Sequence, residues 1–289
     1  MSEARSGGPL GRFSIPAAGP TALPIPLQGA HPAPADRPPG LGERTRNDDA
    51  GGELGSVKAP DPATSGSSSP SLLYQPRDDE TQTIVHLVRH GEVHNPDGIL
   101  YGRLPGFRLS EHGRSQAETV ARAFARDHDI VSVVASPLQR AQETAEPLSQ
   151  TLGLPVGIEE NIIEADNSFE GTKVAGRGGA LRDPARWKRL YNPLRPSWGE
   201  PYLQIAHRMI GSVYSALDSG FGHEVVLVSH QLPVYTCRRF LEGRRLWHDP
   251  RSRQCSLASV TSLVFEGATL REIVYSEPAG ASDPSQTGA

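Results

Sequence analysis

Periodic hydrophobic pattern begins near residue 78 and runs to about residue 278. Thr83-Ile84-Val85-His86-Leu87-Val88 is short, β-branched and mostly apolar, the mark of a strand buried on both faces. Ile130 to Ala135 and Glu224 to Val228 repeat that mark. Between the first two strands the rhythm changes to the helical one. Ser110 can cap a helix whose Ala117, Val120, Ala121 and Phe124 share a face. Ser136 as cap and Pro137 at the first helical position predict another, with Leu138, Ala141, Ala145, Leu148 and Leu152 as its apolar stripe. Pro147 lies inside that stripe and predicts a kink or an early stop. Ser256 to Phe265 and Leu270 to Tyr275 flank Gly267 and predict a hairpin at a sheet edge. Strands alternating with helices make this an α/β domain.

Composition sets the limits of that domain. Residues 1–77 are rich in Pro, Gly, Ser and Ala without a sustained apolar period, so they are expected to form a disordered leader. Residues 78–278 then form one globular domain, and residues 279–289 a short polar tail. The net charge of −4 comes with no dense basic block, which argues against a nucleic-acid partner. No charged segment followed by an apolar one opens the chain, and no apolar run approaches the ~20 residues that span a bilayer. Two cysteines, Cys237 and Cys255, are no disulfide framework, so cytoplasmic residence is expected. Oligomeric state leaves no trace in the pattern.

Chemistry enters at the strand ends. The first strand runs directly into Arg89-His90-Gly91-Glu92, the second into Ser136-Pro137-Leu138-Gln139-Arg140, and the third into Ser229-His230. Ligands of open α/β sheets sit at the carboxyl ends of strands, so two histidines and two arginines are delivered to one edge. Arg140 falls in the first turn of its helix, where free backbone N–H groups favour anions. Guanidinium groups match phosphate oxygens in pairs, and a neutral imidazole keeps a lone pair for attack near pH 7. His86, His90 and His94 recur every four residues, a zinc-binding spacing on a helix. On a strand that spacing does not cluster the rings, so no metal site is expected.

These residues resemble a known family. Leu87-Val88-Arg89-His90-Gly91-Glu92 with Asn95, Ser136 to Ala145, and Val228-Ser229-His230 are similar to the signature motifs of the histidine phosphatase superfamily, phosphoglycerate mutase-like branch. Glu164 with Phe169-Glu170-Gly171 resembles its acid-bearing segment, and Gly199-Glu200-Pro201 with Arg208 a weaker element. The resemblance implies a three-layer α/β/α sandwich with a mostly parallel central sheet, and catalysis through phosphohistidine without metal or cofactor. It implies His90 as nucleophile, Arg89, Arg140 and His230 as phosphate ligands, Glu164 as proton donor, and Asn95 as a pocket-lining group. Beside a phosphate dianion His230 is expected to donate as an imidazolium. Gln231 stands where many members have glycine, which would narrow or polarise the pocket, and Arg103 is a further candidate for binding substrate. Glu92 is expected to accept hydrogen bonds from neighbouring polar groups.

Arg103, Lys173, Arg177, Arg182, Arg186, Lys188 and Arg189 could form a basic lid, though a charge-rich segment is more often a solvated face. Trp187, Tyr191 and Trp198 could cover the pocket or pack in the core. The expected function is hydrolysis of a small phosphorylated metabolite. A mutase using the same intermediate and a silent phospho-ligand-binding module are the alternatives.

Overall fold

The computed structural model describes residues 11–14, 79–173 and 199–280. The predicted leader lies outside these apart from residues 11–14, and the predicted tail apart from Ala279 and Gly280. Seven strands form one sheet: β1 (Gly11–Ser14), β2 (Gln82–Arg89), β3 (Ile130–Ala135), β4 (Val156–Ile158), β5 (Glu224–Ser229), β6 (Val260–Glu266) and β7 (Thr269–Ser276), in the order β1-β7-β6-β2-β5-β3-β4. Strands β2, β5, β3 and β4 run parallel, and β6 reverses direction beside β2. The β6–β7 hairpin falls where its pattern predicted, and β1 extends the sheet beyond β7. Nothing in the apolar pattern of Gly11-Arg12-Phe13-Ser14 announced that strand.

Among the described residues four helices cover the sheet: α1 (Glu111–Phe124), α2 (Gln139–Leu152), α3 (Tyr202–Ser219) and α4 (Gln231–Leu241). Alternation along the central strands divides the core in two. Val85 and Leu87 of β2, with Val225 and Leu227 of β5, pack with Ile205, Met209 and Val213 of α3 and Val234 of α4. Val88 of β2, with Val226 and Val228 of β5, packs with Val120 and Phe124 of α1 and Ala141, Ala145 and Leu148 of α2. Because successive strand side chains point to opposite faces, each central strand feeds both cores. The result is a three-layer α/β/α sandwich in which most strands share one direction. Among the described residues no helix is long and apolar enough to cross a membrane.

Two expectations for α2 need correcting. The helix starts at Gln139, not Pro137, and its cap residue Leu138 makes no side-chain capping bond. The hydroxyl of Ser136 lies instead 2.7 Å from Nε2 of His230. Pro147 does not stop the helix, which continues to Leu152 because Ala141, Thr144, Ala145 and Leu148 bury one continuous face. By contrast Ser110 caps α1 as its position predicted, accepting from the Gly113 N–H at 3.0 Å.

The zinc-like spacing does not gather its rings. His94 is exposed, and His86 is buried in β2 with Nε2 2.8 Å from Oε2 of Glu224. His128 approaches the same carboxylate oxygen at 2.7 Å.

Candidate active site

Strand β2 ends at Arg89, and the turn beyond it is held by its neighbours. The His90 N–H donates to the carbonyl of Ser229 at the end of β5, and the Arg89 N–H to that of Ser259. The Gly91 N–H donates to Oγ1 of Thr144 in α2. The chain then crosses the start of α1 so closely that a Cβ on Gly91 would stand 2.6 Å from the Gly113 carbonyl oxygen. A Cβ on Gly113 would stand 2.0 Å from the Glu92 carbonyl oxygen. Both sites need glycine for close approach, and together they fix where His90 emerges.

The imidazole of His90 is oriented by its own loop. Its Nδ1 lies 2.7 Å from the Gly91 carbonyl, to which it can only donate, so Nε2 carries the lone pair. Nε2 accepts from Nε of Arg140 at 3.2 Å. Burial, then the charges of Arg140 and Arg89, hold the His90 pKa well below the ordinary imidazole value. The free nitrogen therefore stays unprotonated at neutral pH.

His230 caps α4 and its ring centroid lies 5.2 Å from that of His90. The Ser136 hydroxyl also accepts, at 3.4 Å, from the Leu138 N–H, and it can donate to Nε2 of His230, the arrangement that puts the ring proton on Nδ1. Nδ1–H of His230 is then a buried donor without a partner among the described residues. Burial, then the charge of Arg140, holds the His230 pKa well below the ordinary imidazole value. Arg89 adds two more donors: NH1 is taken by the Cys255 carbonyl at 2.7 Å, while Nε and NH2 are buried and unpartnered among the described residues. Arg140 donates from NH2 to the Gly102 carbonyl and lies over the Tyr101 ring, 4.7 Å from its centroid. Buried donors without acceptors are costly, and three such groups beside one lone pair describe a site for an anion.

Glu164 reaches this place through a segment of backbone held at every step. Ser229 Oγ donates to the Ile162 carbonyl, Arg208 to those of Asn161 and Ile163, and Arg103 Nε to that of Glu164 itself. Glu200 ties the two arginines together, pairing with Arg208 through both oxygens and with Arg103 at 3.2 Å. The Glu164 carboxyl accepts the Ala165 N–H and is buried; burial raises its pKa against the opposing pull of Arg140, Arg253 and Arg89. A carboxyl in that setting can hold a proton for transfer.

The structure thus brings Arg89, His90, Arg140, Glu164 and His230 together, and it gives the remaining candidates protein partners of their own. Both ends of the Asn95 amide bond the backbone of Ile99, so it closes its own loop. Arg103 is a brace for Glu164, bonded to its carbonyl and to Glu200. Gln231 spans the Cys255 carbonyl and NH1 of Arg253, with its amide occupied at both ends. Glu92 accepts from the Ser110 hydroxyl, as a supporting group should. Of the basic segment, Arg177, Arg182, Arg186, Lys188 and Arg189, and the aromatics Trp187, Tyr191 and Trp198, lie outside the described residues. Lys173 is exposed, its backbone bridged to Ile99.

Three contributors are not legible in the sequence. Ser136 has the position of a helix cap. Thr144 falls beside an apolar stripe, yet it joins the Gly91 N–H to the Arg140 carbonyl. Arg253 lies in Asp249-Pro250-Arg251-Ser252-Arg253, a polar link without periodicity, so only three dimensions reveal it.

Known proteins share this arrangement of elements. The family model described as histidine phosphatase superfamily (branch 1) matches residues 85–277. The uncharacterized protein Rv0525 of Mycobacterium tuberculosis is 60% identical over 198 residues, 68% of this chain and 98% of that protein. Phosphoserine phosphatase 1 of Hydrogenobacter thermophilus is 32% identical over 151 residues, 51% of this chain and 71% of that protein. Among solved structures, the mycobacterial glucosyl-3-phosphoglycerate phosphatase Rv2419c superposes with a TM-score of 0.55 at 24% identity, covering 67% of this chain and 97% of its own.

Proposed function

The chain belongs to the histidine phosphatase superfamily, and from that premise we propose that it is a metal-independent phosphomonoester hydrolase whose His90 carries the phosphoryl group. One observation supports this above others. The only unprotonated nitrogen of His90 accepts from Arg140 Nε, and the buried donors Arg89 Nε and NH2 and His230 Nδ1, the last on a ring 5.2 Å from that of His90, lack a partner among the described residues.

Phosphoryl transfer asks a protein chiefly for position and charge. The three non-bridging oxygens of a phosphate are stronger acceptors than an imidazole, so Arg140 Nε leaves Nε2 of His90 for the substrate. The Nε2 lone pair forms the N–P bond as the P–O ester bond breaks. Glu164 gives its proton to the departing alkoxide. Water then attacks phosphorus, the P–N bond breaks back to Nε2, and Glu164 recovers a proton from the water. The arginines supply the positive charge, so no metal is needed for any step.

The test is a panel of phosphorylated small metabolites with the His90→Ala protein as blank. Release of inorganic phosphate by wild type, none by the variant, and an alkali-stable phosphoprotein in wild type alone are expected. Turnover should persist in excess chelator. An isomerised ester in place of free phosphate identifies a mutase, and ester binding without either product identifies a silent binding module.

A further inference from the structure

The site holds a third arginine that the phosphoryl chemistry does not use. Arg253 follows the one-turn helix Pro250–Ser252 and is partly buried beside the catalytic groups. Its Nε donates to Nε2 of His248 at 2.9 Å, its NH1 to Oε1 of Gln231 at 3.2 Å, and Tyr202 is a third hydrogen-bond partner. Each acceptor is neutral. His248 is committed as one, because its Nδ1 donates to the Leu246 carbonyl, and its pKa is depressed by burial to about 4. A guanidinium has five N–H donors, so this cradle leaves some of them free while fixing the plane of the group. No carboxylate pairs with Arg253 among the described residues; its nearest acidic influence is Glu164, which must stay protonated to act as the acid.

Charge balance makes this anomalous. Arg89, Arg140 and Arg253 all act electrostatically on Glu164, so three cations surround one carboxyl. A phosphomonoester dianion neutralises two of them. A desolvated cation held by neutral partners is unfavourable unless a counter-charge is near, and the carboxyl that acts on Arg253, Glu164, gives up its charge when it holds the proton it donates.

We infer that Arg253, oriented by Gln231, His248 and Tyr202, forms a subsite for a second anionic group of the substrate, a carboxylate set beside the phosphoester. This inference rests on the hydrolase reading for its phosphate half. The planar fork of the guanidinium matches the two oxygens of a carboxylate, and a single negative charge completes the balance. It also gives Gln231 a purpose. Its amide holds Arg253 from the residue next to His230.

The experiment compares two esters that differ only in the group in question, 3-phosphoglycerate and glycerol 3-phosphate, on the full chain. Wild type should favour the carboxylate ester, and in Arg253→Met the ratio of the two kcat/KM values should fall on the order of 10–100-fold, the range of one charge-assisted hydrogen-bonded pair. Arg253→Lys should recover part of that ratio, which a merely misfolded variant cannot do. Equal losses on both esters, or no preference in wild type, overturn the subsite. Calorimetric binding of both esters to the His90→Ala protein, with and without Arg253→Met, decides the same question without turnover. Tighter binding of the carboxylate ester that depends on Arg253 keeps the subsite even if no phosphate is ever released. Its absence removes the subsite while leaving the hydrolase intact.

Discussion

A protonated carboxyl is useful only where a leaving group needs it, and this gives Glu164 a signature of its own. Burial raises its pKa above the ordinary carboxyl value, which is the direction an acid catalyst needs. In Glu164→Gln an alkyl phosphate must expel an unprotonated alkoxide, whereas an aryl phosphate leaves as a stable phenoxide. The variant should slow alkyl esters by about 10²–10⁴-fold, the usual worth of general acid catalysis, and aryl esters far less. Steady-state rates on p-nitrophenyl phosphate and an alkyl phosphate decide it, and equal losses would remove Glu164 from the acid role. Residues of this kind were legible where chemistry follows a strand directly, as with Arg89, His90 and His230. For Asn95, Arg103 and Gln231 the protein partners were not legible, because polar side chains have many partners and sequence does not say which one wins. Those partners include Ile99, Glu164 and Arg253 respectively.

Elements place these groups by packing that tolerates little change. The Gly91–Gly113 crossing sets the turn after β2 against the first turn of α1, with backbone facing backbone on both sides. Gly113→Ala puts a methyl 2.0 Å from the Glu92 carbonyl oxygen, which cannot yield as a flexible side chain would. Helix propensity alone would favour alanine over glycine by ~1 kcal/mol. The clash should reverse that sign, giving a lower Tm by thermal melting and a lower kcat, because His90 shares the displaced turn. A higher Tm would show the crossing to be slack. At this scale the strands and the Ser110 cap were readable, since periodicity and capping are local. The start of α2 was not: the Ser136 hydroxyl is contested by His230, 94 residues further along the chain. The helices α3 and α4 carry no local start signal, because their N-cap residues, Pro201 and His230, make no side-chain capping bond. For Glu164 the decisive support is likewise distant, in the Arg208–Glu200–Arg103 brace. Arg208→Met should therefore lower kcat on alkyl esters more than on aryl esters, as Glu164→Gln does but less severely. A uniform loss across both ester classes would reduce the brace to general stability.

The whole molecule keeps catalysis and a second polar cluster on separate stretches of the same strands. His86 lies four residues before His90 on β2, a separation of roughly 13 Å at ~3.3 Å per residue. There Glu224, at the start of β5, accepts from both His86 and His128, and Ser262 of β6 completes the His86 ring. Strands β2, β5 and β6 are thus tied at one end by polar bonds and at the other open to the phosphoryl site. Burial alone would push the Glu224 carboxyl up, but the two ring bonds overcome it and hold the pKa at about 2, against 4.5 for the free group. A depressed carboxylate pKa means that the folded state is favoured by ionisation. That contribution is complete above about pH 4.5 and is lost as the pH falls toward about 2. Glu224→Gln should accordingly melt a few degrees below wild type at pH 7, since ~1 kcal/mol moves Tm by about 2–4 °C in a domain of this size. The gap should narrow steadily below pH 4.5 as the wild-type carboxylate takes up its proton. Turnover at pH 7 and a temperature well below both transitions should be unchanged, because no bond connects Glu224 to His90, Arg140 or Glu164. Melts across pH 7 to 3, paired with kcat at pH 7, separate the two ends of the sheet. A gap that stays constant with pH would mean that the charge of Glu224 contributes nothing, and a fall in kcat would mean that the strands transmit strain from one end to the other.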